Sequence, residues 1–169
     1  MKENNIYLIG MMGAGKSTIG KLLSKKMNIE YIDMDNELET LMDMSLPMIF
    51  SEYGEERFRM IESAFFREIS KAGHLIYATG GGIVLSDLNK KIIKETGISI
   101  FLDCSLDILI DRVKNDKKNR PLVSDDIKKN MTNIYNDRYE LYKKCAQHSI
   151  DTTDMNADQV VQEIIQCIN

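Results

Sequence analysis

Between the apolar run Asn5-Ile-Tyr-Leu-Ile9 and the segment Lys16–Met27 the chain reads Gly10-Met-Met-Gly-Ala-Gly-Lys16-Ser17. The match is to G-x-x-x-x-G-K-[ST], and it sits where such a loop must sit. A short apolar run before it reads as a buried strand. After it, Ile19, Leu22, Leu23 and Met27 follow the spacing of one helix face. Glycines at these positions let successive backbone N–H groups curl around phosphate oxygens, and the following helix adds the positive end of its dipole. Lys16 is placed to reach the β- and γ-phosphates of a nucleoside triphosphate, and Ser17 to ligate Mg²⁺.

The rest of the chain repeats the strand–helix alternation. Strands are expected at Glu30–Asp33, Leu75–Ala78, Ile98–Leu102 and ending at Ser149-Ile150. Helices are expected over Glu37–Met42, Glu55–Lys71, Leu88–Glu95, Leu106–Val113, Asp126–Ala146 and Ala157–Ile168, the last capped by Asn156. Ser45 is placed to cap a further helix with Pro47 in its first turn. In the Glu55–Lys71 helix, Phe58, Ile61, Phe65 and Ile69 define the buried stripe, with Arg59 at its margin. Alternation of this kind implies an α/β fold, a parallel sheet with helices on both faces, and ligands at the carboxyl ends of the strands.

Composition narrows the function classes. At 169 residues the chain suits one domain, and no stretch approaches the apolar length that spans a bilayer. A soluble, cytoplasmic, unprocessed protein is expected. The net charge of −4 comes with no evident basic face, so no nucleic-acid partner is expected. Three cysteines at unrelated spacings read as reduced thiols, and two histidines, His74 and His148, as structural residues at strand starts. A histidine triad or a zinc site is not supported. Sixteen lysines against six arginines make the arginine positions informative.

Four further motifs lie near the expected strand ends or beside them. Asp33-Met34-Asp35 ends the second strand, and its two carboxylates need not do the same job. One can approach a metal and the other a phosphoryl acceptor, or both can cap the next helix. Arg59 is a helical arginine that by periodicity alone reads as a solvated residue or as a ligand. Gly80-Gly81-Gly82 follows a strand, where three glycines suit close approach of backbone to a ligand or a flexible turn. Arg120-Pro121-Leu122 lies in a charged stretch long enough to move, and an arginine there can close over phosphates.

Taken together and in this order, these motifs resemble shikimate kinase. The resemblance covers nearly the whole chain: GMMGAGKST, IDMD, GEERFRMIE (Gly54–Glu62), ATGGG (Ala78–Gly82), FLD (Phe101–Asp103), RPL (Arg120–Leu122) and RYELY (Arg138–Tyr142). It implies a three-layer α/β/α fold with a five-stranded parallel sheet in the order 2-3-1-4-5. It also implies a substrate-binding helical segment over 34–62 and a short lid over 114–126. The implied reaction is transfer of the ATP γ-phosphoryl to the 3-hydroxyl of shikimate. Gly13, Ala14, Gly15, Lys16, Ser17 and Thr18 would hold the phosphates, with Arg120 from the lid and Arg112 at the adenine. Ser17 and Asp33 would hold Mg²⁺. Asp35 would orient or deprotonate the attacking hydroxyl. Arg59 and Arg138 would clamp the carboxylate, and Gly80, Gly81 and Gly82 would contact the ring hydroxyls. Lys16, Asp35 and Arg120 are thus the implied catalytic residues. A guanidinium fork suits a carboxylate better than an ammonium does, and four of the six arginines fall at these positions.

The chain departs from the family pattern in places. Asp43 stands where the family usually has glycine, Pro47 lies just inside the next helix, and Ile150–Asp154 lacks the proline often found in the adenine-facing loop. Alternatives remain a gluconate-type polyol kinase, a nucleoside monophosphate kinase, and a nucleotide-binding switch that transfers nothing to a small molecule. No exposed heptad or long apolar edge suggests an obligate partner, so a monomer is expected.

Overall fold

The structure, a computed structural model, describes residues 4–116 and 126–168. Its five strands are β1 (Asn5–Ile9), β2 (Tyr31–Asp33), β3 (Ile76–Ala78), β4 (Gly97–Asp103) and β5 (His148–Asp151). All pair in parallel, in the order β2-β3-β1-β4-β5. The helices are α1 (Lys16–Met27), α2 (Met34–Met42), α3 (Leu46–Ile69), α4 (Asp87–Thr96), α5 (Leu106–Asn115), α6 (Ile127–Cys145) and α7 (Ala157–Ile168), with a 3₁₀ turn at Ile83–Leu85. No described helix is long and apolar enough to cross a membrane.

The central strand explains the architecture. Every residue of β1 is buried, as a strand covered on both faces must be. Tyr7 stacks on Tyr77 at 5.1 Å and meets the edge of Phe66 from α3. Helices α1 and α7 pack on each other, while α4 and α6 both lie against β4. One large core joins these layers. A second, smaller cluster forms around Leu38, Ile49 and Phe58, and it holds α2 and α3 together beside the sheet.

Helix ends follow the residues at them. Asn156 accepts from the Gln159 N–H at 3.0 Å, and Gln159 reaches back to the Asn156 N–H at 2.9 Å, a reciprocal cap at the start of α7. Asp126 caps α6 through the Lys129 N–H. Ser45 holds the cap position of α3, with Pro47 in the first turn as expected, but its side chain makes no cap bond. Glu39 supplies it instead, its carboxylate accepting from the Leu46 N–H at 2.8 Å.

Three expectations need correction. The second strand stops at Asp33, so Asp35 belongs to the first turn of α2 and not to a strand. The helix expected to start at Glu55 continues the one that starts after Ser45, with a break at Gly54. Gly54 has φ 76 and ψ 167, a conformation open to glycine and strained for other residues. The buried stripe beyond that break runs Phe58, Glu62, Phe66, while Ile61, Phe65 and Ile69 are half-buried.

Asp43, the departure from the family's glycine, ends α2 at φ 49 and ψ 36. The left-handed region disfavours a side chain there, and the carboxylate faces the negative end of the helix dipole. We expect Asp43→Gly to raise the unfolding free energy by roughly 0.5–1 kcal/mol in denaturant titration. No change, or a loss, would mean that the carboxylate makes a compensating contact.

Candidate active site

The carboxyl ends of β1, β2 and β3 open into one cleft of about 1190 Å³. The phosphate loop forms one wall. Gly10, Gly13 and Gly15 all have positive φ, and Gly15 leads into α1 with no side-chain cap and no acidic residue in the first turn. The orphan N–H groups at the start of α1 thus belong to the cleft. A Cβ at Gly10 would lie 2.9 Å from the Leu102 carbonyl, so the loop passes tightly over the end of β4. The buried Lys16 ammonium donates to the Gly10 and Met11 carbonyls at 2.7 and 2.9 Å. Arg112 comes from α5 and donates to the Gly13 carbonyl at 3.2 Å.

The junction of β2 and α2 forms the next wall. Asp33 caps α2 through a long bond from the Asn36 N–H, 3.4 Å, and its other oxygen accepts from the Tyr31 hydroxyl at 3.0 Å. Burial, and then the neighbouring Asp33 carboxylate, push the Tyr31 phenol up, so it remains a donor. The Ser17 hydroxyl also interacts with that phenol. Ser17, Asp33 and Asp35 all line the cleft, and the exposed Thr18 lies at its rim.

The remaining wall of the cleft is built from charge. Arg138, on α6, is buried and donates to the Gly81 carbonyl at 3.2 Å. Arg59 lies over the Phe58 ring at 5.0 Å and the Phe50 ring at 5.9 Å. It pairs with Glu62 at 2.9 Å. The Glu55 carboxylate stands between the two arginines, 3.3 Å from Arg59 and 3.9 Å from Arg138 through the same oxygen. The two guanidinium groups are therefore spaced to share one carboxylate.

The glycine triplet is shaped by these side chains. A Cβ at Gly80 would lie 2.6 Å from a Glu62 oxygen and 3.1 Å from an Asp35 oxygen, and one at Gly82 would lie 2.2 Å from the Arg59 guanidinium. Gly81 has only ordinary contacts at 3.7 Å. The Gly81 carbonyl also accepts from Tyr142, whose phenol burial pushes up to about 12. Gly80 and Gly82 leave room for the charged side chains that line the site.

The candidate site residues that fall among the described residues all line this cleft. Arg120 lies outside the described residues. Glu62, Glu55, Tyr142 and Tyr31 were not singled out as site residues. Glu62 carried a signal: it stands four residues from Phe58 and four from Phe66, a charge inside an apolar stripe. Asp103, at the end of β4, is engaged structurally, its carboxylate by Tyr139 and its carbonyl by Thr152.

Burial raises the Glu62 carboxyl above the ordinary glutamate range, an effect that Arg59 opposes and Asp35 reinforces. Such a group holds its proton more tightly folded than unfolded. Its stabilising contribution is complete below the ordinary glutamate pKa and is lost as pH rises through the raised value. Exchange for glutamine removes that dependence. The unfolding free energy of the parent minus that of Glu62→Gln is expected to fall with rising pH across this window. Denaturant titrations at a series of pH values check it, with a slope no steeper than about 1.4 kcal/mol per pH unit. A difference that grew with pH would mean that Arg59 outweighs burial.

Comparison with known proteins identifies the family. Residues 12–169 match the family described as Shikimate kinase. A shikimate kinase of Clostridium beijerinckii is 40% identical over 166 residues, covering 98% of this chain and 95% of that protein. One of Pelotomaculum thermopropionicum is 38% identical over 162 residues, covering 95% and 93%. Among solved structures, shikimate kinase from Acinetobacter baumannii in complex with shikimate superposes with a TM-score of 0.94 at 34% identity, covering 98% of this chain and 93% of that one. With a phosphate loop and a paired-arginine pocket in one cleft, and this likeness along its length, the chain belongs to the shikimate kinase family.

Proposed function

We propose that this chain transfers the γ-phosphoryl group of ATP to the 3-hydroxyl of shikimate, giving shikimate 3-phosphate and ADP. The observation that carries the reading is the pair Arg59 and Arg138, which share the Glu55 carboxylate in the same cleft as the phosphate loop. A small hydroxylated acid would present its own carboxylate to that pair. Bidentate arginine recognition gives orientation as well as affinity. Asp35 beside Gly80 is then left for the hydroxyl side of the acceptor.

The division of labour follows from position. The backbone of Gly13, Ala14 and Gly15 and the first turn of α1, with Ser17 and Thr18, receive the phosphates. Lys16 exchanges its loop carbonyls for phosphate oxygens. Asp35 orients the attacking hydroxyl and takes up its proton as the new P–O bond forms and the bond to ADP breaks. The backbone of Gly80, Gly81 and Gly82 lines the acceptor's ring. Arg112 flanks the adenine end, and Arg120 closes over the phosphates from a lid over 114–126, with 34–62 as the acceptor-binding segment. Positioning and charge neutralisation supply most of the rate enhancement in such transfers.

The oxygen donors of Ser17 and Asp33 fit Mg²⁺, a hard cation that keeps several waters and is held by one or two protein groups plus phosphates. Bound there, it would neutralise charge on the phosphates. We further propose that the protein acts as a monomer in the cytoplasm. One chain supplies both halves of the cleft, and its three cysteines are free thiols.

The test offers Mg-ATP with shikimate, gluconate or nucleoside monophosphates and follows ADP release. Shikimate alone should support turnover, and turnover on another acceptor without shikimate-dependent release would overturn the assignment. Arg138→Ala should raise the KM for shikimate by roughly thirtyfold or more, the cost of unpairing a buried charge. The KM for ATP should stay within about twofold, since the loop backbone, Lys16 and the first turn of α1 hold the phosphates.

A further inference from the structure

Tyr31 is explained by neither substrate. It lies on β2, an edge strand, two residues before Asp33 and therefore on the same side of that strand. Its ring lies against α1 at Gly20, one turn after Ser17. A Cβ at Gly20 would fall 2.3 Å from the ring, so glycine is what lets the ring pack there. Held in that notch, the phenol donates to Asp33 at 3.0 Å and touches the Ser17 hydroxyl.

We propose that Tyr31 is a positioning residue for the metal side of the site, holding Asp33 and Ser17 in the arrangement that receives hydrated Mg²⁺. The inference rests on the reading that Ser17 and Asp33 hold the cation. Among the described residues, the other hydrogen bond to the Asp33 carboxylate is the long one, 3.4 Å, from the Asn36 N–H. With Tyr31 on its second oxygen, the carboxylate is gripped at both ends and loses its freedom to rotate. Each oxygen keeps lone pairs for a water of the cation's shell. Groups that orient metal-binding side chains in this way are typically worth ten- to hundredfold in metal affinity. Phenylalanine at this position would keep the ring in the Gly20 notch and remove only the donor.

The test measures Mn²⁺ binding by electron paramagnetic resonance to the ADP complex of the full chain, for the parent, Tyr31→Phe and Asp33→Asn. ADP affinity in EDTA is measured beside it. Tyr31→Phe should bind Mn²⁺ roughly tenfold more weakly, with metal-free ADP affinity within about twofold of the parent. Asp33→Asn should be weakened at least as much. In turnover, raised Mg²⁺ should restore the kcat of Tyr31→Phe. If Tyr31→Phe binds Mn²⁺ like the parent while Asp33→Asn does not, the role of Tyr31 is overturned and the metal reading stands. If Asp33→Asn also binds like the parent, the metal reading falls and this inference with it. Equal loss of metal-free ADP binding, or a kcat that excess Mg²⁺ does not restore, would assign Tyr31 a structural role and overturn the proposal.

Discussion

The parallel pairing of β1 with β3 on one side and β4 on the other is the constraint from which the site follows. Parallel strands bring their carboxyl ends to the same edge of the sheet, so the turns that leave β1, β2 and β3 must meet. Leu8 aligns with Ala78 and Ile9 with Phe101, which sets Gly10 and the start of the glycine triplet side by side. Thr79 locks this alignment, its N–H and its hydroxyl both donating to the Leu8 carbonyl. A slip of one residue would move every side chain of the slipped strand to the other face of the sheet and separate the phosphate loop from the acceptor pocket.

On this edge the chain places charge where a small core would otherwise place apolar groups. Glu62 is buried beside Arg59, and Arg138 is buried above Gly81. Buried charges are costly unless paired and hydrogen-bonded, and this group is only partly so. Among the described residues, Arg59 Nε and a Glu62 oxygen are buried without a hydrogen bond. A ligand with a carboxylate and several hydroxyls offers partners of the kind that such a pocket lacks. The aromatic rings of Phe50 and Phe58 hold the Arg59 guanidinium in place, so little side-chain freedom is left to lose on binding.

Much of this was legible in the residues. The phosphate loop, the strand–helix alternation and most element boundaries follow from spacing alone, because a strand buried on both faces and a helix with one apolar face leave different periods. The strand order and the pairing of Arg59 with Arg138 came through the resemblance, since residues 79 positions apart carry no local sign of meeting. Local patterns failed where one residue served two elements. Asp33 ends a strand and caps a helix at once, which moved Asp35 onto α2. Gly54 breaks α3 without ending it. A hydrophobic pattern skips a charged residue, so the expected stripe runs through Ile61 and Phe65, one residue before the buried Glu62 and Phe66. Tyr31 carries no local sign of its role, since the Gly20 notch that seats its ring and the bond of its hydroxyl to Asp33 both depend on the folded chain.

The central claim is that Arg59 and Arg138 make a carboxylate site in the cleft that holds the phosphate loop. Its most direct test compares shikimate with shikimate methyl ester by isothermal titration against the unaltered protein with ADP bound. Neutralising the carboxylate removes the partner of Arg59 and Arg138 and leaves the ring hydroxyls unchanged. The account predicts that the ester binds more weakly by about 2 kcal/mol or more, roughly thirtyfold in Kd. Equal affinities for acid and ester would contradict it.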